Sequence, residues 1–150
     1  MTVDIVHDDL NATVEVQDEH KLVRLIWKRP IIGNEYRNVL MRLLEVVRGR
    51  GLKLWLSDGR KAAPILYDDQ VWTMSEYTPQ VIQAGLERIA IVNSEDGLNL
   101  LAVDRMVNAT PAGAPYENAF FQDPSIAQLW LMDRSRSTGD AATVKRSASD

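Results

Sequence analysis

The run Lys21-Leu22-Val23-Arg24-Leu25-Ile26-Trp27-Lys28, followed by Gly33-Asn34-Glu35-Tyr36 and closed by Leu52-Lys53-Leu54-Trp55-Leu56-Ser57, decides the fold. Its first part is too apolar for a sheet with one wet face and reads as an inner strand. From Gly33 the period changes. Tyr36, Val39, Leu40, Leu43, Leu44 and Val47 keep the i, i+3, i+4, i+7 spacing of a helix with one buried stripe. Arg37, Asn38, Arg42, Glu45 and Arg48 fall on its other side, with Met41 the apolar exception. Gly49 and Gly51 stop the helix, because glycine takes a left-handed C-terminal conformation without penalty. Leu52 to Ser57 is again a short apolar strand. Residues 21–57 therefore form a β-α-β unit, for which a right-handed crossover is expected.

Upstream, Val3 and Ile5, then Val14 and Val16, alternate with polar residues at the period of a half-buried strand. Asp8-Asp9-Leu10-Asn11 and Asp18-Glu19-His20 supply the turns of this N-terminal antiparallel meander. Downstream, Asp58 to Pro64 is a polar loop. A second helix starts near Asp68-Asp69, whose carboxylates suit a helix N-terminus, and Val71, Met74, Tyr77 and Val81 give it an apolar side. Pro79 is expected to break or kink it, with Thr78 capping a second short segment. Glu87 to Val92 reads as a parallel strand, Asp96 to Asn108 as a third helix and Asn118 to Phe121 as a last short strand. Asp123-Pro124 opens a terminal helix. The expected fold class is α/β, a mixed sheet with an antiparallel start followed by βαβαβα(βα), in one domain over residues 1–132. Residues 133–150 hold Val144 as their one large aliphatic and are expected to be a disordered tail.

The 150 residues are 45% hydrophobic and 25% charged, which excludes whole-chain disorder and suits a single core. The chain has no cysteine and two histidines, His7 and His20, so disulfides, thiolate chemistry and a histidine metal cage are not expected. No apolar run reaches the ~20 residues of a membrane span. The opening Met1-Thr2-Val3-Asp4 lacks the basic-then-apolar layout of a signal peptide, and a cytoplasmic location is expected. Charge is segregated. Residues 1–20 hold six acids and no Lys or Arg, whereas residues 21–61 hold eleven bases against three acids. A basic middle raises nucleic-acid binding, but the acidic pI and the lack of aromatic-interleaved basic motifs argue against it. Pairing of acidic first strands with a basic third strand and first helix accounts for the pattern.

The order of elements resembles the STAS fold of anti-sigma-factor antagonists, closest to small bacterial SpoIIAA-like (STAS/SEC14-like) proteins. The likeness runs over about residues 3–132. It rests on Asn34-Glu35-Tyr36-Arg37 opening the first helix, the strand leading into Asp58-Gly59-Arg60, Trp72 in the second helix, Arg88-Ile89-Ala90-Ile91-Val92, and Phe120-Phe121-Gln122-Asp123 leading to Leu129-Trp130-Leu131. The resemblance implies a regulatory module, and the SEC14-like label implies a carrier of a small apolar ligand. Phospho-switching antagonists of this kind carry a serine at the start of the second helix. This chain has Tyr67-Asp68-Asp69-Gln70 there, and its first downstream Ser/Thr hydroxyl is Thr73. The aspartates either imitate a phosphorylated state or supply ordinary N-terminal charge, the second being favoured.

Open α/β sheets bind ligands beyond the carboxyl ends of their parallel strands. That rule directs attention to the loops at residues 29–34, 57–61 and 93–97. Asp58 and Arg60 either bond each other to hold their loop, the favoured role, or leave Arg60 or Lys61 free for an anion. Gly33 and Gly59 match no nucleotide-binding fingerprint. Trp72 lies off the centre of the expected stripe, so it covers a pocket, meets a second subunit or packs under the 58–67 loop. Trp27, Trp55 and Trp130 read as core. No Ser/His/Asp pattern or facing carboxylate pair is present. The expected function is a non-enzymatic regulatory or protein-interaction module, a homodimer in the first instance. It would use Tyr36, Asp58, Gly59, Arg60, Trp72 and Tyr77 at its ligand- or partner-binding surface, without catalytic residues, metal or cofactor. The alternative is a carrier of a small apolar ligand, held in a cavity lined by residues such as Tyr36, Trp72 and Tyr77.

Overall fold

The computed structural model describes residues 2–133; the expected tail lies outside the described residues apart from Asp133. Six strands form one mixed sheet in sequence order: β1 (Asp4–Asp8), β2 (Ala12–Gln17), β3 (Leu22–Trp27), β4 (Leu54–Asp58), β5 (Arg88–Val92) and β6 (Glu117–Phe121). β1, β2 and β3 pair antiparallel, and β3 to β6 pair parallel. The helices are α1 (Gly33–Arg50), α2 (Tyr67–Trp72), α3 (Thr78–Gln83), α4 (Gly97–Asn108) and α5 (Pro124–Met132). The α/β class and the antiparallel-then-parallel sheet are those expected from the sequence.

Strand alternation sorts the core into two layers. Val23, Leu25, Trp27, Trp55 and Ile89 face α1 and the α2–α3 segment. Leu22, Leu56, Ala90, Val92 and Phe121 face α5 through Ala127 and Leu131. Every residue of the α1 stripe is buried, joined by Val46. Full burial of such a side chain is worth about 1.5–3 kcal/mol, so this helix anchors the first layer. It runs through Gly49 and ends at Gly51, whose φ of 61° makes the left-handed cap. The charge segregation resolves into neighbours. Arg50 bonds Asp4 at 2.7 Å and Asp18 at 3.0 Å, and Lys28 pairs with Asp8.

Three local expectations are corrected. Val3 and Ile5 are exposed and Val6 packs on the core, because the register of β1 sets Asp4 opposite inward-facing Val16 and Ile5 opposite Glu15 on the outer face. Pro79 does not break the second helix, nor does Thr78 cap a new one. The chain stays helical from Tyr67 to Gln83 through a π-helical turn at Thr73–Tyr77, in which the Thr78 N–H reaches the Thr73 carbonyl. The wider turn lets the helix continue into a residue with no N–H. It also moves the buried face. Val71 is exposed, while Asp69, Gln70, Tyr77 and Val81 are buried.

Candidate functional site

A cavity of about 160 Å³ lies between the first face of the sheet and the helices. Its floor includes Trp27, Trp55, Ser57, Ile89, Ile91 and Phe120, alternate residues on four parallel strands. Tyr36 and Leu40 of α1, Tyr77 and Val81 from the second helical segment, and Val103 and Met106 of α4 wall it. The loop after β4 contributes Gly59, Ala62, Ala63 and Ile65.

That loop is fixed from several sides. Ser94 Oγ donates to the Ala62 carbonyl at 2.8 Å, Asn99 Nδ2 donates to the Ala63 carbonyl, and Gln70 Nε2 donates to the Ile65 carbonyl at 2.8 Å. Arg105 Nη1 holds Gln70 Oε1 at 2.7 Å, tying α4 to α2. Gly59 N donates to the Val92 carbonyl, and a Cβ at residue 59 would stand 3.1 Å from that oxygen. A side chain there would press on that carbonyl, so glycine suits the close backbone approach.

An aromatic chain stiffens one wall. Trp27 stacks on Tyr36 at 5.8 Å between centroids, Tyr36 meets Trp72 edge-on at 6.4 Å, and Trp72 stacks on Tyr77 at 5.5 Å. Arg37 lies 5.4 Å over the Trp72 ring. Thr73 Oγ1 donates to the Asp69 carbonyl, so the Tyr36 hydroxyl donates to Thr73 Oγ1 at 2.9 Å. The Tyr77 hydroxyl donates to the Leu40 carbonyl at 2.7 Å. Burial pushes the Tyr36 hydroxyl up to about 12 and raises that of Tyr77 well above its ordinary value. Both stay neutral near pH 7.

Among the described residues, two buried polar atoms of the cavity lining are without a hydrogen-bond partner. Trp55 is 8% exposed, and its indole N–H has no hydrogen-bond partner. The side-chain oxygen of Asn93, just past β5, is also buried and unpartnered. Both residues line the cavity. Leaving such a group unpaired costs about 1–3 kcal/mol. By contrast, the Trp27 indole N–H donates to Ser57 Oγ at 3.3 Å.

The structure divides the six sequence-selected residues. Tyr36, Gly59 and Tyr77 line the cavity, and Trp72 packs against both tyrosines behind the wall. Asp58 and Arg60 lie apart from them. Asp58 follows Ser57 and projects to the opposite sheet face, where it is 2% exposed. Arg60 grips it with Nε at 3.0 Å and Nη2 at 2.8 Å, and Arg24 Nη2 stands 3.6 Å away. Burial pushes the Asp58 carboxyl up, but the Arg60 hydrogen bonds and the charges of Arg60 and Arg24 outweigh it and hold the group below its ordinary value. Asp69 lies in the first turn of α2, as expected, and also serves α1. Its carboxylate accepts from Gly33 N at 2.8 Å and Arg37 Nε at 3.0 Å, fastening the start of α1 to α2. Sequence reading missed Trp55, since a tryptophan in an apolar strand has every mark of core. Asn93 fell within an indicated loop but carried no further signal.

Among the described residues, no group of three or more His, Asp or Glu could hold a metal ion, and no helix is long and apolar enough to cross a membrane. Comparison with family models, curated proteins and solved structures returns no match.

Proposed function

We propose that this chain is a non-enzymatic binding domain of STAS-like, SpoIIAA-like architecture that carries a small, mainly apolar ligand between its sheet and its helices. The cavity carries the reading. Cavities of about 150 Å³ lined by aliphatic and aromatic side chains accept benzene, and this one is of that order. Its aromatic walls offer burial without ionic chemistry, and its tyrosines are neutral. The STAS-like part of the proposal draws support from the strand order, an antiparallel start followed by parallel strands in sequence order.

Thermal unfolding tests it. A ligand that binds only the folded state stabilises by RT ln(1 + [L]/Kd), so millimolar benzene raises the melting temperature. Native mass spectrometry of the purified chain reads any retained ligand directly. A melting temperature unmoved by benzene, together with a bare protein mass, removes the carrier reading.

A second reading is a regulatory protein-interaction module, working as a homodimer or with another protein in the cytoplasm. It draws on exposed Leu66, Tyr67 and Val71 at the start of the second helix, an apolar strip beside the 58–67 loop. Under it, Tyr67→Ser with Val71→Ser turns a dimer into a monomer in sedimentation. A monomeric wild type removes this reading.

A further inference from the structure

The ligand's shape follows from the walls, and its polarity follows from the groups the walls leave unpaired. The Trp55 indole N–H is a donor only, so nothing but an acceptor satisfies it. Trp55 is the second residue of β4, opposite Ile89 of β5, where both main chains are committed to the parallel ladder. On this face Ser57 is already bonded to Trp27, and the other polar strand residue of the lining, Asn118 of β6, stands beyond Ile89, one strand further from Trp55. Asn93, with its unpaired side-chain oxygen, shares the β5 face with Ile89 and Ile91 by strand alternation. It marks a second unfilled polar position, toward the strand ends.

Charge restricts the acceptor. Among the described residues, Arg29 is the one basic side chain on the lining, and its guanidinium is engaged outside, with Nε donating to Asn11 Oδ1 at 2.8 Å and Nη2 lying 3.7 Å from Glu35. A carboxylate on the ligand would be stripped of water with no dedicated cation to meet it, which is unfavourable. A neutral oxygen meets the indole N–H without that penalty.

We infer that the cavity is selective for neutral single-ring compounds bearing a hydroxyl or carbonyl oxygen, and that the Trp55 indole N–H is the specificity determinant that reads this oxygen. The inference rests on the carrier reading above and names its ligand class. It separates two near-isosteric probes: benzene fills the space alone, and phenol adds an oxygen.

The experiment titrates both probes into the wild-type chain and into Trp55→Phe, by calorimetry and by following the indole N–H resonances in ¹H–¹⁵N spectra. Phenol binds the wild type more tightly than benzene. In Trp55→Phe the phenol affinity falls about tenfold, the size of one lost hydrogen bond, while the benzene affinity stays within about twofold. In the wild type, phenol moves the Trp55 indole proton downfield and benzene does not; this readout needs no variant and stands even if Trp55→Phe folds poorly. Equal losses for both probes would make Trp55 a packing residue and overturn the inference, as would an indole resonance indifferent to phenol. Benzene binding without a preference for phenol defeats the specificity alone. Failure of both probes to bind wild type defeats the carrier reading with it.

Discussion

On β4, Trp55 and Ser57 look toward α1–α4, whereas Leu56 and Asp58, each one residue further, look toward the side of α5. The same parity runs through β5, where Ile89 and Ile91 line the cavity and Arg88, 5% exposed, lies on the other side. Arg88 Nη1 donates to the carbonyls of Trp130, Leu131 and Asp133, at 3.2, 3.0 and 2.7 Å, and so finishes the C-terminal turn of α5. One face therefore carries four helical segments, aromatic rings and a void. Among the described residues, the other carries a single short helix secured by charge. Space is left where a broad helical layer meets the sheet imperfectly; charge is used where one small helix has little apolar area to offer.

The sharpest way to break this comparison is at Asp58. Removing one member of a buried ion pair strands its partners, a loss of about 3–5 kcal/mol when all are buried. Arg60 and Arg24 keep some contact with water, so Asp58→Ala is expected to cost about 2–3 kcal/mol in urea unfolding. Benzene affinity should stay within about twofold, since the cavity is on the opposite face. A large loss of binding would show that the faces are coupled. The depressed pKa sets the sign of the pH effect. Asp58 contributes its stability above the ordinary value of 3.8 and loses it as pH falls through its lower folded value. Wild type thus loses stability below about pH 4 more steeply than Asp58→Asn does.

Next in size is Arg88→Met, which removes three carbonyl contacts at the end of α5. About 2 kcal/mol is expected, in the range of hydrogen bonds to a charged group. Hydrogen exchange should show the loss concentrated in α5, with α1 amides still protected. Uniform deprotection would mean that the two layers unfold as one unit. The smallest effect belongs to the cavity. Ile91→Phe fills part of the void and is expected to add about 0.5–1 kcal/mol of stability while abolishing the benzene-induced rise in melting temperature. A destabilised protein that still binds benzene would show that the void lies elsewhere along the strands.

How far the chain could be read in advance depended on the range of the forces involved. The α1 stripe and the inner position of β3 were legible because both are local periodicities over many residues. Trp72 and Val71 exchanged sides because a π-helical turn breaks the 100° bookkeeping on which a helical wheel relies. Ile5 lost its place to Val6 because the pairing register of β1 sets Ile5 opposite Glu15, on the outer face. In the candidate site, Tyr36, Gly59 and Tyr77 were named beforehand as site residues and do line the cavity. Asp58 and Arg60 were named with them because they are neighbours in sequence, yet strand parity sends Asp58 through the sheet. The Trp55 N–H could not be singled out, since whether an indole finds a partner depends on what stands opposite.

The sequence by itself determined the strands, their order and the long first helix, because helix and strand periods and turn chemistry act over a few residues. Tertiary structure alone decided that a void remains under α1–α4, which residues surround it, and that Trp55 and Asn93 meet there unpaired. A cavity is a mismatch between packed layers. It therefore depends on how separate elements settle against one another and is encoded in no single stretch of the chain.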